Sequence, residues 1–317
     1  MKLPLSNNNK KLAGQLLAIA LGALILTLLV RTLGDIRFDD VVTAIREIPP
    51  RTVGLAIGLA ICGYLWIVGY DYLALRFLRR SVPWPRLVLT SLAAFALQRN
   101  VGPGPLTGGA LRYRYYRGHD FSAGDAAVIT LLCAFAFTLG IALTAGWALL
   151  LEPRGLAGVL GIPSWPLRIA GGLLLLGLAG YIYWTSARHH PIRLGSWEAP
   201  APSARVSLLQ LLFGAVDIAI VAGVAYLLLP EQVELSYPAF VGLYVLAMVA
   251  GAVSHVPGGL GVFESVLLLL LPGDAPASSV LASLLAFRGV YYLLPLLTMI
   301  VGVGGYELGL RLLRREA

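Results

Sequence analysis

Apolar runs long enough to cross a bilayer recur along the chain, near 12–30, 53–76, 125–150, 166–184, 206–229 and 277–303. A hydrocarbon core needs about 20 such residues per helix. Lipid offers no partner for backbone N–H and C=O groups, so a spanning chain must be helical or close into a barrel, and runs of this length specify helices. A mean hydropathy of +0.81, with 58% hydrophobic and only 13% charged residues in 317 positions, is incompatible with an ordinary soluble domain. The expected fold class is an all-α polytopic membrane protein, a single transmembrane domain over 1–317 with about six full spans.

Two further apolar regions do not read as simple spans. The first, 86–98, is short and runs into Gln98-Arg99-Asn100-Val101-Gly102-Pro103-Gly104-Pro105. The second, 238–271, is interrupted by Ser254-His255-Val256-Pro257-Gly258-Gly259-Leu260-Gly261. Broken backbone at membrane depth is tolerated only where protein or a wet cavity satisfies the freed groups. Proline cannot continue a helix interior, and glycine permits a sharp turn with backbone close to a ligand. Gly102, Pro103, Gly104, Gly108 and Gly109 in the first region, and Pro257, Gly258, Gly259 and Gly261 in the second, are therefore expected as hinges. The helices that follow would offer free N–H groups to an anion. Thr107 is the expected N-cap of a short helix after the first hinge.

Charge sets the orientation. Arg and Lys cluster in short segments beside the spans, so the formal net charge of +8 points to anionic lipid and not to nucleic acid. The bias places the N-terminus, the 77–86 loop, the 185–205 linker and the C-terminus in the cytoplasm. Parity then requires 86–118 and 238–272 to enter and leave on one side each, as re-entrant or broken helix hairpins, although two thin spans remain open for 238–271. The first span (12–30) is followed by one half (53–150), a connecting span (166–184), the linker and a second half (206–303). The halves point in opposite directions, which is the inverted-repeat plan of secondary transporters, with the site at the repeat interface.

Ionisable residues inside apolar segments mark function by default. Asp71, Asp217, Glu264 and Arg288 qualify, with Tyr291 on the Arg288 face. Arg112 lies closest to the first hinge, where a guanidinium could grip a phosphate with two hydrogen bonds. Ser254 and His255 flank the second hinge. The competing reading is that Glu264 pairs with Arg288, or Asp71 with Arg112, only to fix helix register. Cys62 and Cys133 read as small hydrophobes. No nucleotide loop, zinc motif, nucleophile elbow or Cys/His cluster occurs in the sequence, so no cofactor and no metal site are expected.

Three strings carry a resemblance: Gly108-Gly109-Ala110-Leu111-Arg112-Tyr113-Arg114-Tyr115-Tyr116, Pro257-Gly258-Gly259-Leu260-Gly261-Val262-Phe263-Glu264 and Phe287-Arg288-Gly289-Val290-Tyr291-Tyr292-Leu293-Leu294-Pro295. They resemble the lysylphosphatidylglycerol synthase transmembrane region, the flippase half of the multiple peptide resistance factor, which also occurs free-standing. The resemblance implies a multi-pass protein of the prokaryotic cytoplasmic (inner) membrane that moves an anionic or aminoacylated phospholipid between leaflets. It implies functional roles for Asp71 and Arg112, and for the acid of the 206–229 span, where this chain has Asp217 and family members often carry Glu. It extends to the membrane region alone, so lipid aminoacylation is not expected of these residues.

The leading expectation is a lipid translocase whose opposed hairpins form a polar cleft for membrane phospholipids. One alternative is a non-transporting, lipid-binding subunit that scaffolds a separate synthase. A transporter of a polyprenyl-phosphate-linked sugar is another. A homodimer is compatible with all three. An intramembrane enzyme has the least support, since no catalytic set stands out.

Overall fold

The computed structural model describes residues 37–316 apart from 102–103, 118–120, 188–191, 195–196, 200–201 and 255. The first span, with Gly102, Pro103 and His255, lies outside the described residues. The rest is an all-α membrane fold, and five helices are long and apolar enough to cross a bilayer: Pro50–Phe77, Ala123–Leu151, Ser164–Ala187, Ala204–Leu228 and Ala277–Gly305. Each coincides with an expected span.

In chain order the described helices are α1 (Phe38–Glu47), α2 (Pro50–Phe77), α3 (Trp84–Val101), α4 (Gly104–Tyr116), α5 (Ala123–Leu151), α6 (Pro153–Leu160), α7 (Ser164–Ala187), α8 (Ala204–Leu228), α9 (Tyr237–Val253), α10 (Val262–Leu270), α11 (Ala277–Arg288) and α12 (Leu294–Glu316). A π-helical turn, Gly289–Leu293, joins α11 to α12. The linker holds a small antiparallel ribbon, Ile192–Leu194 against Trp197–Ala199, with Arg193 opposite Glu198.

Both interrupted regions are helix pairs. α3 packs on α4, and α9 packs on α10. Each pair falls in sequence between two long helical stretches: α3 and α4 between α2 and α5, α9 and α10 between α8 and the Ala277–Gly305 span that α11 begins. The second break is a short 3₁₀ turn at Pro257–Gly259. There Gly258, Gly259 and Gly261 have φ of +63°, +60° and +80°, a region that side chains with a Cβ rarely adopt.

Side-chain periodicity explains which faces meet. On α2 the buried positions Ala56, Ala60, Tyr64, Ile67, Asp71 and Ala74 recur every three or four residues, one stripe of a helix, while Leu55, Ile61, Leu65 and Tyr72 face outward. α8 packs against α2 and α5. At the α5–α8 crossing, Gly140 and Gly214 are so close that a Cβ on either would overlap the other helix's backbone. Without a hydrophobic drive between helices in lipid, such small-residue contact lets backbones approach and pack.

Capping fixes several helix starts. Ser122 and Asp125 close a capping box at α5, the Asp125 amide donating to Ser122 Oγ at 3.0 Å and the Ser122 amide to Asp125 Oδ2 at 2.8 Å. Ser203 caps α8.

Outside the expected spans, the 31–51 stretch contains α1, whose Val41 and Ala44 pack on Ala282 of α11. Its apolar face is too short to register as a span but is enough to dock a ten-residue helix. Thr107 is not an N-cap: α4 begins three residues earlier at Gly104, so Thr107 lies within its first turn.

Candidate functional site

Among the described residues three arginine–carboxylate pairs lie inside the bundle, and each ties a broken-helix pair or the π-turn region to another element. On α2, the stripe that buries Tyr64 also buries Asp71, and α4 brings Arg112 to it. Arg112 Nε and Nη2 donate to Asp71 at 2.9 and 2.8 Å, and Nη1 donates to Thr130 Oγ1 at 3.2 Å. The Tyr116 hydroxyl adds a bond to Asp71 Oδ2 at 2.9 Å, and the Cys133 thiol faces Oδ1 at 3.4 Å. Both charged side chains are fully buried. Cys133 is thus part of a polar cluster, contrary to its reading as an apolar filler.

Gly108 and Gly109, expected as hinges, instead lie inside α4 and serve its packing. A Cβ on Gly108 would stand 2.8 Å from Gln98 Oε1 and 3.1 Å from Arg112 Nη1, and one on Gly109 would touch Thr130 Oγ1 at 3.4 Å. Their absent side chains let α4 sit tightly between α3 and α5. Gln98 Oε1 is buried in this seam without a hydrogen-bond partner among the described residues.

The second pair joins Arg99, in the last turn of α3, to Asp217 in the middle of α8. Arg99 Nη2 lies 3.0 and 2.9 Å from the two carboxylate oxygens. Arg99 Nη1 donates to the Tyr291 hydroxyl, which in turn faces Asp217 Oδ1 at 3.5 Å, and the Tyr70 hydroxyl donates to Oδ2 at 3.3 Å. Aromatic rings surround the guanidinium, with Tyr291 at 5.0 Å, Tyr64 at 5.7 Å and Phe95 at 6.0 Å from its centre. Asp217 is fully buried, whereas the Arg99 side chain keeps 15% exposure.

The third pair holds the second break. Arg288 Nε donates to Glu264 Oε1 at 2.6 Å, Nη1 to the Gly258 carbonyl at 2.6 Å and Nη2 to the Gly259 carbonyl at 3.4 Å. Glu264 Oε2 accepts from the Gly261 amide at 2.8 Å. The start of α10 therefore already holds an anion, the chain's own carboxylate, and the turn presents carbonyls to Arg288. Ser254 closes α9, its hydroxyl donating to the Gly251 carbonyl at 2.6 Å.

The three pairs are linked through shared neighbours into one path. Phe95 lies under both Arg99 and Arg112. Asn100, next to Arg99, donates to the Tyr292 carbonyl at 3.2 Å, and Tyr292 flanks Arg288 at 5.0 Å. A Cβ on Gly258 would lie 3.7 Å from the Arg99 carbonyl, so the second break rests on the end of α3. The π-turn matters here because its extra residue places Tyr291 against Arg99 and Tyr292 against Arg288 within one stretch of helix.

Of the residues expected from sequence, Asp71, Arg112, Asp217, Glu264, Arg288 and Tyr291 fall on this path. Ser254 stands at its edge. Arg99, Tyr64 and Tyr70 were not singled out. Arg99 is a cation at the end of an apolar segment, beside a glycine-proline hinge, and that position was its one readable signal. Among the described residues no cluster of three or more His, Cys, Asp or Glu is arranged to hold a metal ion.

The family model described as lysylphosphatidylglycerol synthase TM region matches residues 15–298. A Synechocystis protein, slr0712, is 34% identical over 271 residues, 86% of this chain and 84% of its own length. The Escherichia coli inner membrane protein YbhN is 28% identical over 300 residues, 92% of this chain and 91% of its own. A phosphatidylglycerol lysyltransferase of Staphylococcus aureus is 23% identical over 295 residues, which is 92% of this chain but 34% of that larger protein.

Proposed function

The chain belongs to the lysylphosphatidylglycerol synthase TM region family, and on that premise we propose that it is a lipid translocase, carrying an anionic or aminoacylated phospholipid between the leaflets of the inner membrane. The observation that carries the reading is the Arg99–Asp217 pair. It sits where α3 ends against the second helix break, and its arginine is both partly exposed and ringed by hydroxyls and aromatic faces. A guanidinium binds phosphate through charge-assisted N–H bonds, and Arg99 holds both Asp217 oxygens through Nη2 while Nη1 donates to the Tyr291 hydroxyl. A lipid phosphate can replace that carboxylate, and the released Asp217 then faces a cationic headgroup or a coupling proton.

In this account the pairs differ in role. Asp71–Arg112 is saturated and closed, so it fixes the register of α4 against α2. Glu264–Arg288 holds the second break in shape, and Arg99–Asp217 exchanges partners. The halves 53–150 and 206–303 act as an inverted repeat with both termini cytoplasmic, and the chain performs no chemistry on the lipid. The family plan and the charge bias support these points.

The test is leaflet exchange of fluorescent phosphatidylglycerol in proteoliposomes of the purified chain. Exchange well above that of empty vesicles is expected; a rate equal to theirs would contradict the proposal. A second reading, a lipid-binding subunit that scaffolds a separate synthase, draws on the fact that the lysyltransferase relatives are about three times as long as the region they share with this chain. It predicts no exchange and a stable complex with such a synthase.

A further inference from the structure

A groove of about 290 Å³ runs along the outer side of the bundle between α2 and α12, with Ile57, Ile61, Tyr64, Val290, Leu294 and Met299 among its lining residues. Ile57, Ile61 and Leu65 repeat at four-residue intervals on α2, so the slot follows that helix for roughly 12 Å. Its walls are aliphatic, and it is open to the surroundings through Ile61 and Leu294, which are 56% and 44% exposed. A largely aliphatic slot that follows a spanning helix suits a hydrocarbon chain.

The deep end of this groove is the back of the Arg99 site. Tyr64 lines the groove with its ring and carries Arg99 over the same ring at 5.7 Å. Its hydroxyl donates to the Tyr291 carbonyl at 3.2 Å, and Val290, also in the groove, immediately precedes that tyrosine. An apolar slot and a guanidinium thus lie on either side of one aromatic side chain, as the acyl chain and the phosphate of one phospholipid lie on either side of its glycerol.

We propose that this groove seats one acyl chain of the phospholipid whose phosphate is held by Arg99, so that tail and headgroup are recognised together across Tyr64. The proposal rests on the lipid-translocation reading and adds to it where the tail lies and that the tail is selected.

The test uses the full chain in proteoliposomes with two probes carrying the same diazirine-bearing acyl chain, phosphatidylglycerol and diacylglycerol. Crosslinks are mapped by peptide mass spectrometry, with the exposed face of α7 as the lipid-facing control. The proposal expects several-fold more label from phosphatidylglycerol on the peptides of Ile57–Leu65 and Val290–Met299 than on α7, and no such preference from diacylglycerol. Ile61→Trp and Thr298→Trp, both at the exposed rim, should lower groove labelling several-fold and leave α7 labelling unchanged. Equal labelling of groove and α7, or equal preference for the two probes, would overturn it. Loss of groove labelling to added polyprenyl phosphate but not to unlabelled phosphatidylglycerol would also overturn it. Crosslinking is read at equilibrium, so a chain that exchanges lipid without groove labelling fails this proposal alone, and one that labels the groove without exchanging lipid fails the translocase reading.

Discussion

Arg99 holds both oxygens of Asp217, at 3.0 and 2.9 Å, across 118 positions of sequence. The bond joins the end of a broken helix to the middle of an unbroken one. It is the contact through which a change at the break can reach the centre of the bundle, and Tyr291 completes it from a third element.

The Tyr291 hydroxyl lies between Arg99 and Asp217, so Tyr291→Phe should loosen the pair without creating a large cavity. A loss of about 1 kcal/mol in stability is expected, the usual net value of one hydrogen bond. Leaflet exchange should change by more than the stability does. Thermal unfolding in detergent and lipid exchange, measured on the same preparations, would separate the two effects.

Asp71 and Arg112 should behave as a lock. Removing either alone leaves an uncompensated buried charge and should destabilise by about 3–5 kcal/mol. Replacing both, as Asp71→Leu with Arg112→Met, should recover much of that loss. Unfolding midpoints of the two single variants and the double variant form the cycle that checks it; additive losses would show that the residues do not act as a pair.

Gly258→Ala should cost about 1–2 kcal/mol, because φ is +63° there and the new methyl would lie 3.5 Å from Arg288 Nη1. Gly172→Ala, where nothing lies within 4 Å of an added Cβ, is the matched control and should leave stability unchanged or slightly raised. Comparing the two unfolding midpoints tests whether the turn needs a left-handed residue.

Gly214→Ala should be worse than its size suggests. Its methyl would overlap the backbone of Ala136 and Gly140, atoms that cannot rotate aside. Overpacking of this kind costs about 1–3 kcal/mol or more. The fraction of monodisperse protein on size-exclusion chromatography reports it, and wild-type behaviour would mean that α5 and α8 separate more readily than their contact implies.

Much of this was legible in the sequence, for identifiable reasons. Runs such as 125–150 and 206–229 specify helices because lipid permits little else, and the second glycine-proline string announces its break because three residues there take positive φ. Buried acids such as Asp71 and Glu264 stand out against an apolar background, and the cost of an unpaired charge there suggested Arg112 and Arg288 as their partners. Arg99 did not stand out. It lies in Gln98-Arg99-Asn100, a polar run that reads as the end of a segment, and its partner is reached only through the packing of α3 against the rest of the bundle. Tyr64 and Tyr70 were hidden for a different reason, since an aromatic residue in an apolar helix has the same pattern whether it faces lipid or a guanidinium. The groove combines residues from α2, α3, the π-turn and α12, and no single stretch carries its outline.

The most direct measurement is the leaflet-exchange rate of phosphatidylglycerol in proteoliposomes carrying Arg99→Gln, Asp217→Asn and wild type, each normalised to folded protein. The account predicts exchange by the wild type and a drop of at least tenfold in both variants, the loss of about 1.4 kcal/mol or more of interaction with the moving lipid. Wild-type exchange rates in both folded variants would contradict it.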